Sequence, residues 1–301
     1  QQSIVEIMYR PDYKAYYGNY NNNTDWIDEV TQFGQTHNFG LSVSGGGERA
    51  NFRVSGTYDH ETGSIIKQAL DRLTTRLALD YWVSDRIKFT SNFALTYTKN
   101  QRNYSNDILG RAYNAMPNMS VYRMQHQPAT ANAAEYWYNT GEFFIMPKAA
   151  GAPGMIAPNS GLTSYYLSDM VANGNPVAIA HEAWNNQSSY TIQPQFALEY
   201  KLLGKSDDET KLDYRGEVFM NAYTNTEESY YPSSLTSDSW FVENDVTKGI
   251  NKTSSLEVKN LTFTTRHQLT FHPHFANNDH QLQVMGRFEM STSNDTRQSM
   301  A

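Results

Sequence analysis

The chain has 301 residues with 18% charged and 13% aromatic side chains, a net charge of −7 and no cysteine. Without cysteine there is no disulfide framework and no thiolate metal site. An acidic balance with no run of Lys and Arg argues against a nucleic-acid partner. No apolar run approaches the roughly 20 residues of a membrane helix. The opening Gln1-Gln2-Ser3-Ile4-Val5-Glu6 lacks the basic and apolar parts of an export signal, so a trimmed or partial chain is expected. Asn, Gln, Ser and Thr with 21 Tyr, 14 Phe and 5 Trp suit pleated strands better than helices.

Eight segments alternate with period two. The first is marked by Phe39, Leu41 and Val43, the second by Phe52, Val54 and Tyr58. Residues 73–83 set Leu73, Thr75, Leu77, Leu79, Tyr81 and Val83 against Thr74, Arg76, Ala78, Asp80 and Trp82. Residues 86–100 set Ile87, Phe89, Ser91, Phe93, Leu95 and Tyr97 against Lys88, Thr90, Asn92, Ala94, Thr96 and Thr98. Residues 189–202 set Tyr190, Ile192, Pro194, Phe196, Leu198, Tyr200 and Leu202 against hydroxyls, amides, Glu199 and Lys201. Three more strands follow around Leu212–Met220, Leu261–Phe271 and Leu282–Met290.

Alternation alone fits two architectures. In a soluble sandwich the apolar faces of two sheets pack together. In a membrane barrel the apolar face meets lipid and the polar face lines the lumen. Several of these strands reach the 9–11 residues that a tilted span needs. Tyr81, Trp82, Tyr97, Tyr190 and Tyr200 fall near strand ends, where an interfacial girdle places amphipathic rings.

The predicted connections alternate short and long. Gly45-Gly46-Gly47-Glu48, residues 83–86, 203–210 and 273–279 are short; 60–70, 101–187 and 225–257 are longer. Short periplasmic turns and long extracellular loops are the habit of outer-membrane barrels. The longer three are therefore expected outside.

The motifs in order resemble the SusC/RagA-like family of TonB-dependent transporters. They are Asp25-Trp26; His37-Asn38-Phe39-Gly40-Leu41-Ser42-Val43-Ser44-Gly45-Gly46; Ser55-Gly56-Thr57-Tyr58; Gly63-Ser64-Ile65-Ile66-Lys67; Arg72-Leu73 with Arg76-Leu77; Asn175-Pro176-Val177-Ala178; and Tyr230-Tyr231-Pro232. Ala78 stands where the family's strand usually has Asn. The resemblance runs over about residues 24–294. It implies an all-β fold of antiparallel up-and-down strands, eight here out of a 22-strand transmembrane barrel. It implies residues 1–35 as a linker between plug and barrel, and 36–301 as part of the barrel wall. It implies a Gram-negative, Bacteroidota-like outer membrane, a SusD-like surface lipoprotein as lid, the TonB complex acting through a plug region outside these residues, and a glycan or peptide substrate. No cofactor is implied. A soluble all-β carbohydrate-binding module and a non-transporting surface barrel or adhesin are the alternatives.

No nucleophile, base and orienter are spaced for catalysis, so no enzyme is expected. Gly45-Gly46-Gly47 lacks the Lys and Ser/Thr of a phosphate loop. His272, His274 and His280 fit no standard metal spacing, and Asp207-Asp208-Glu209 lacks the calcium-loop pattern. The candidate ligand-binding residues are the loop aromatics Tyr136, Trp137, Tyr138, Tyr165, Tyr166 and Trp184. Their rings could stack on sugars, anchor a protein partner, or pack the loop on itself.

Overall fold

The computed structural model describes residues 18–104, 107–145, 173–204, 209–235, 251–275 and 281–300. Ten strands are present: β1 Gln35–Gly46, β2 Ala50–Thr62, β3 Ala69–Trp82, β4 Ile87–Asn103, β5 Tyr122–Gln127, β6 Tyr136–Phe143, β7 Trp184–Leu203, β8 Lys211–Tyr231, β9 Lys252–His272 and β10 Val284–Met300. Among the described residues three short α-helices accompany them: α1 Trp26–Val30, α2 Ile108–Asn114 and α3 Pro176–Glu182. Eight strands make one sheet in the order β1-β2-β3-β4-β7-β8-β9-β10, and β5-β6 is a separate hairpin. Every neighbouring pair is antiparallel. This is the up-and-down order of a barrel wall.

The register decides what the alternation is for. Val43, Val54, Leu77 and Phe93 stand in one cross-strand row, followed by Pro194 on β7. The apolar residues thus gather on one face of one layer. Among the described residues no second sheet covers that face: Leu41 is 75% exposed and Phe196 45%. The buried apolar cluster lies elsewhere, in the helices and loops. A sandwich would have put its dry core between sheets. Instead the face is an apolar band of the kind a bilayer covers.

The upper border of the band is sharp. Phe39, Tyr58, Leu73, Tyr97 and Tyr190 occupy one row; two residues farther out the same face carries His37, His60, Asp71, Lys99 and Ser188. On β4 the band runs from Ile87 to Tyr97. Ten steps of about 3.3 Å, tilted by roughly 30°, give about 29 Å of depth, enough to cross a barrel's apolar belt of about 25 Å. The sheet is also sheared. Gly45 near the end of β1 shares a row with Met290, six residues into β10. That offset across seven strand spacings corresponds to a tilt of roughly 30°.

Pro194 stands in the middle of β7 although proline cannot donate to a ladder. The β7–β8 register skips the Gln193 and Pro194 rungs and resumes without a shift, so the strand tolerates a local gap.

Several predicted bounds change. β7, β8, β9 and β10 span 20, 21, 21 and 17 residues, well beyond the expected segments. Their outer ends are polar, and polarity hid the continuation. The expected loop at 60–70 shrinks to 63–68, since β2 runs to Thr62 and β3 starts at Ala69. The turn at 273–283 is longer than that tip. The expected strandless loop 101–187 holds β5, β6, α2 and α3. Gly45 and Gly46 belong to β1, and the turn begins at Gly47, whose N–H donates to the Ala50 carbonyl at 2.8 Å. Asp207, Asp208 and His280 lie outside the described residues.

Candidate functional site

Two regions could meet a solute: the folded assembly at the long-loop end and the polar face of the sheet. The assembly is built on buried side chains. Trp26, Val30, Ile108, Phe144, Val177 and Ile179 form its centre, each at most 3% exposed. Trp26 donates its indole N–H to the Met116 carbonyl at 2.7 Å, so the ring buries without stranding its polar atom. Asp25 caps α1 by accepting from the Ile27 and Asp28 amides at 3.1 and 3.2 Å.

Asn175 does more. Its Oδ1 accepts from the Val177 and Ala178 amides, both at 3.1 Å, with Pro176 opening α3. Its Nδ2 donates to the Val121 and Phe144 carbonyls at 2.8 and 3.0 Å. One buried amide thereby joins three parts of the long loop. Asn19 acts similarly: it donates to the Met124 carbonyl at 3.2 Å and accepts from the Met124 amide at 2.7 Å. The hairpin tip 63–68 docks here too, through Ile66 N–H to the Val30 carbonyl at 3.0 Å, with Lys67 at φ 65° closing the turn. His181, in the last turn of α3, has its ring 5.5 Å from Phe143. Lost hydration, with the Lys67 cation nearby, lowers its pKa. Burial raises that of the Tyr231 phenol, whose ring lies 4.8 Å from Tyr104.

The structure divides the six candidate aromatics. Tyr136 and Tyr138 share a face of the β5–β6 hairpin, rings 6.1 Å apart and both exposed. Trp137 faces the other way. It packs 4.9 Å from His126 and so tightly on Gly18 that a Cβ there would come within 2.2 Å of the ring. Trp184 is separate, at the start of β7 and 6.0 Å from Tyr230, on the face that carries the apolar band. Tyr165 and Tyr166 lie outside the described residues. No group of three metal-ligating side chains occurs among the described residues.

The polar face carries a feature that sequence reading missed. Near the short-turn end, Arg215 pairs with Glu199 at 2.7 Å and Glu217 at 2.6 Å. Arg266 joins Glu217 at 2.9 Å and Glu289 at 3.1 Å, and Arg287 reaches Glu289 at 2.6 Å. Three arginines and three glutamates thus form one charge-balanced ladder over four strands. Farther up, Gln193 donates to Asn221 at 3.1 Å and Gln187 to Asn225 at 2.9 Å. These residues are scattered between 187 and 289 in the sequence, and only the strand order brings them together.

No family model matches the chain. A TonB-dependent receptor, P3 of Formosa agariphila, is 28% identical over 123 residues, 38% of this chain and 12% of that receptor. The RagAB peptide importer in its closed-closed state superposes on 92% of this chain and 27% of its own, with a TM-score of 0.55 and 11% identity. A second structure, of the RagAB peptide transporter, covers 96% and 29%, with a TM-score of 0.57 and 12% identity. The fold is that of a SusC/RagA-like TonB-dependent barrel. The ion ladder lies on the face of the sheet opposite the apolar band. The chain spans less than a third of the RagAB chains that it matches.

Proposed function

We propose that the chain is the barrel-wall segment of a TonB-dependent outer-membrane importer of oligosaccharides or peptides, acting with a SusD-like surface lipoprotein. Residues 18–34 precede the first wall strand, and the long loops are extracellular. The apolar band, uncovered among the described residues, one layer thick and bounded by a mostly aromatic row, is the observation that carries this reading. The charge-balanced lumen ladder supports it, because charges inside a membrane protein pair with one another and face the interior. On the loop side, Tyr136 and Tyr138 form the exposed ring pair best suited to meet a sugar or the lipoprotein; Trp137 anchors the hairpin that presents them.

The test uses the intact transporter in liposomes. Spin labels at Phe93, Leu95, Phe196 and Leu198 are expected to be reached by oxygen more than by a polar nickel complex, and energised vesicles to accumulate oligomeric solute. Better access for the polar complex would remove the membrane reading. Correct insertion without accumulation of any oligomer would leave a surface barrel instead of an importer.

A further inference from the structure

On the lumen face, every arginine of the β7–β10 ladder meets a glutamate. Arg53 on β2 and Arg72 and Arg76 on β3 are different. They are exposed on the same polar face, and none has an ion-pair or hydrogen-bond partner among the described residues. Asp59, the cross-strand neighbour of Arg72, is held by the Asn38 amide instead. Arg76 lies opposite Ser55 and beside Ala94; Arg53 lies opposite Ala78, with Asn92 next in the row. Arg72 therefore faces an acid, while Arg76 and Arg53 have small or neutral cross-strand neighbours, with Asp80 two residues along β3 from Ala78; neither acid pairs with an arginine, so the three guanidinium forks stay free. Arg72 and Arg76 are four residues apart on one face, about 13 Å, and Arg53 is about 7 Å farther down. The flank toward β7 is made of amides, Gln193 and Gln195.

We propose that this column is a binding track for acidic oligosaccharides, glycans carrying a carboxylate on successive sugars. It rests on the importer reading and narrows the substrate class. A free guanidinium offers five N–H donors in a fork that fits a carboxylate with two parallel bonds. The amides and hydroxyls beside it, Asn92, Thr74, Gln193 and Gln195, suit sugar hydroxyls.

The experiment measures binding of hexameric galacturonate, maltohexaose and hexaglutamate to the intact transporter in detergent, with R53Q, R72Q, R76Q and the triple variant. Heat-modifiable gel mobility checks that each barrel is folded. Galacturonate is expected to bind, to lose roughly tenfold in affinity per arginine removed, and to weaken further with salt. Arg→Lys variants, which keep the charge without the fork, should fall between, and they serve if the triple variant fails to fold. Equal binding of maltohexaose or hexaglutamate overturns the proposal, as does galacturonate affinity unchanged by the substitutions. A passive ion conductance opened by the substitutions, without a change in galacturonate binding, also overturns it, since the column then neutralises polypeptide. If maltohexaose is imported while galacturonate neither binds nor enters, only the acid track fails; if no solute enters, the importer reading fails.

Discussion

Single side chains at the loop end do unequal amounts of work. Asn175→Ala removes a helix cap and strands two buried carbonyls, so a loss of about 2–4 kcal/mol is expected. Limited proteolysis of the intact transporter should then cut within 107–183 before any wall strand is lost; an unchanged cleavage pattern would contradict this role. Trp26→Phe keeps most of the apolar volume but leaves the Met116 carbonyl without its donor, and should cost less than Trp26→Ala, for which about 3–5 kcal/mol is expected. His181 adds a pH dependence. Its folded pKa lies below the ordinary 6.5 or so, so the unfolded loop binds the proton more readily. The assembly should therefore loosen as pH falls below about 6.5, and His181→Gln should flatten that dependence in the same proteolysis assay.

At the scale of the strand, depth sets the outcome. Leu95 and Phe196 sit inside the apolar band, while Lys99 lies above the mostly aromatic row. Leu95→Arg should cost about 2–4 kcal/mol in a denaturant titration of folding into vesicles, whereas an arginine at 99 should be near neutral. Equal costs at both positions would mean that no hydrocarbon boundary lies between them. The eight wall strands were legible because an apolar side and a polar side alternate along each, as in Phe93-Ala94-Leu95-Thr96-Tyr97. The outer ends were not, because beyond the apolar band both faces are polar, as in Asn185-Asn186-Gln187-Ser188-Ser189. The site was less legible still. Tyr136-Trp137-Tyr138 reads as three equivalent rings, and only the hairpin pairing turns Trp137 away from its neighbours. Asn175 looked like part of a motif; its partners at Val121 and Phe144 are remote in sequence.

At the largest scale, ion pairing on the polar face ties four strands, β7 to β10, to one another. Glu217→Gln should leave Arg215 and Arg266 each with one acidic partner, lowering stability by about 1–3 kcal/mol. The deficit should be smaller in the double variant Glu217→Gln, Arg266→Gln, as a thermodynamic cycle of intact barrels would reveal; strictly additive losses would show that the ladder is not coupled.

The strand order carries a consequence for how such a wall is made. Neighbours in space are neighbours in sequence, so most of the sheet can zip up one hairpin at a time with short closures. The exception is β4 with β7, whose ends are separated by about 80 residues. Closing that interval costs roughly 2 kcal/mol more chain entropy than closing the six-residue tip between β2 and β3. Assembly should therefore proceed as two leaves, β1–β4 and β7–β10, joined last along one seam, and the packed helices and Asn175 crossbrace shorten the effective span that the seam must bridge.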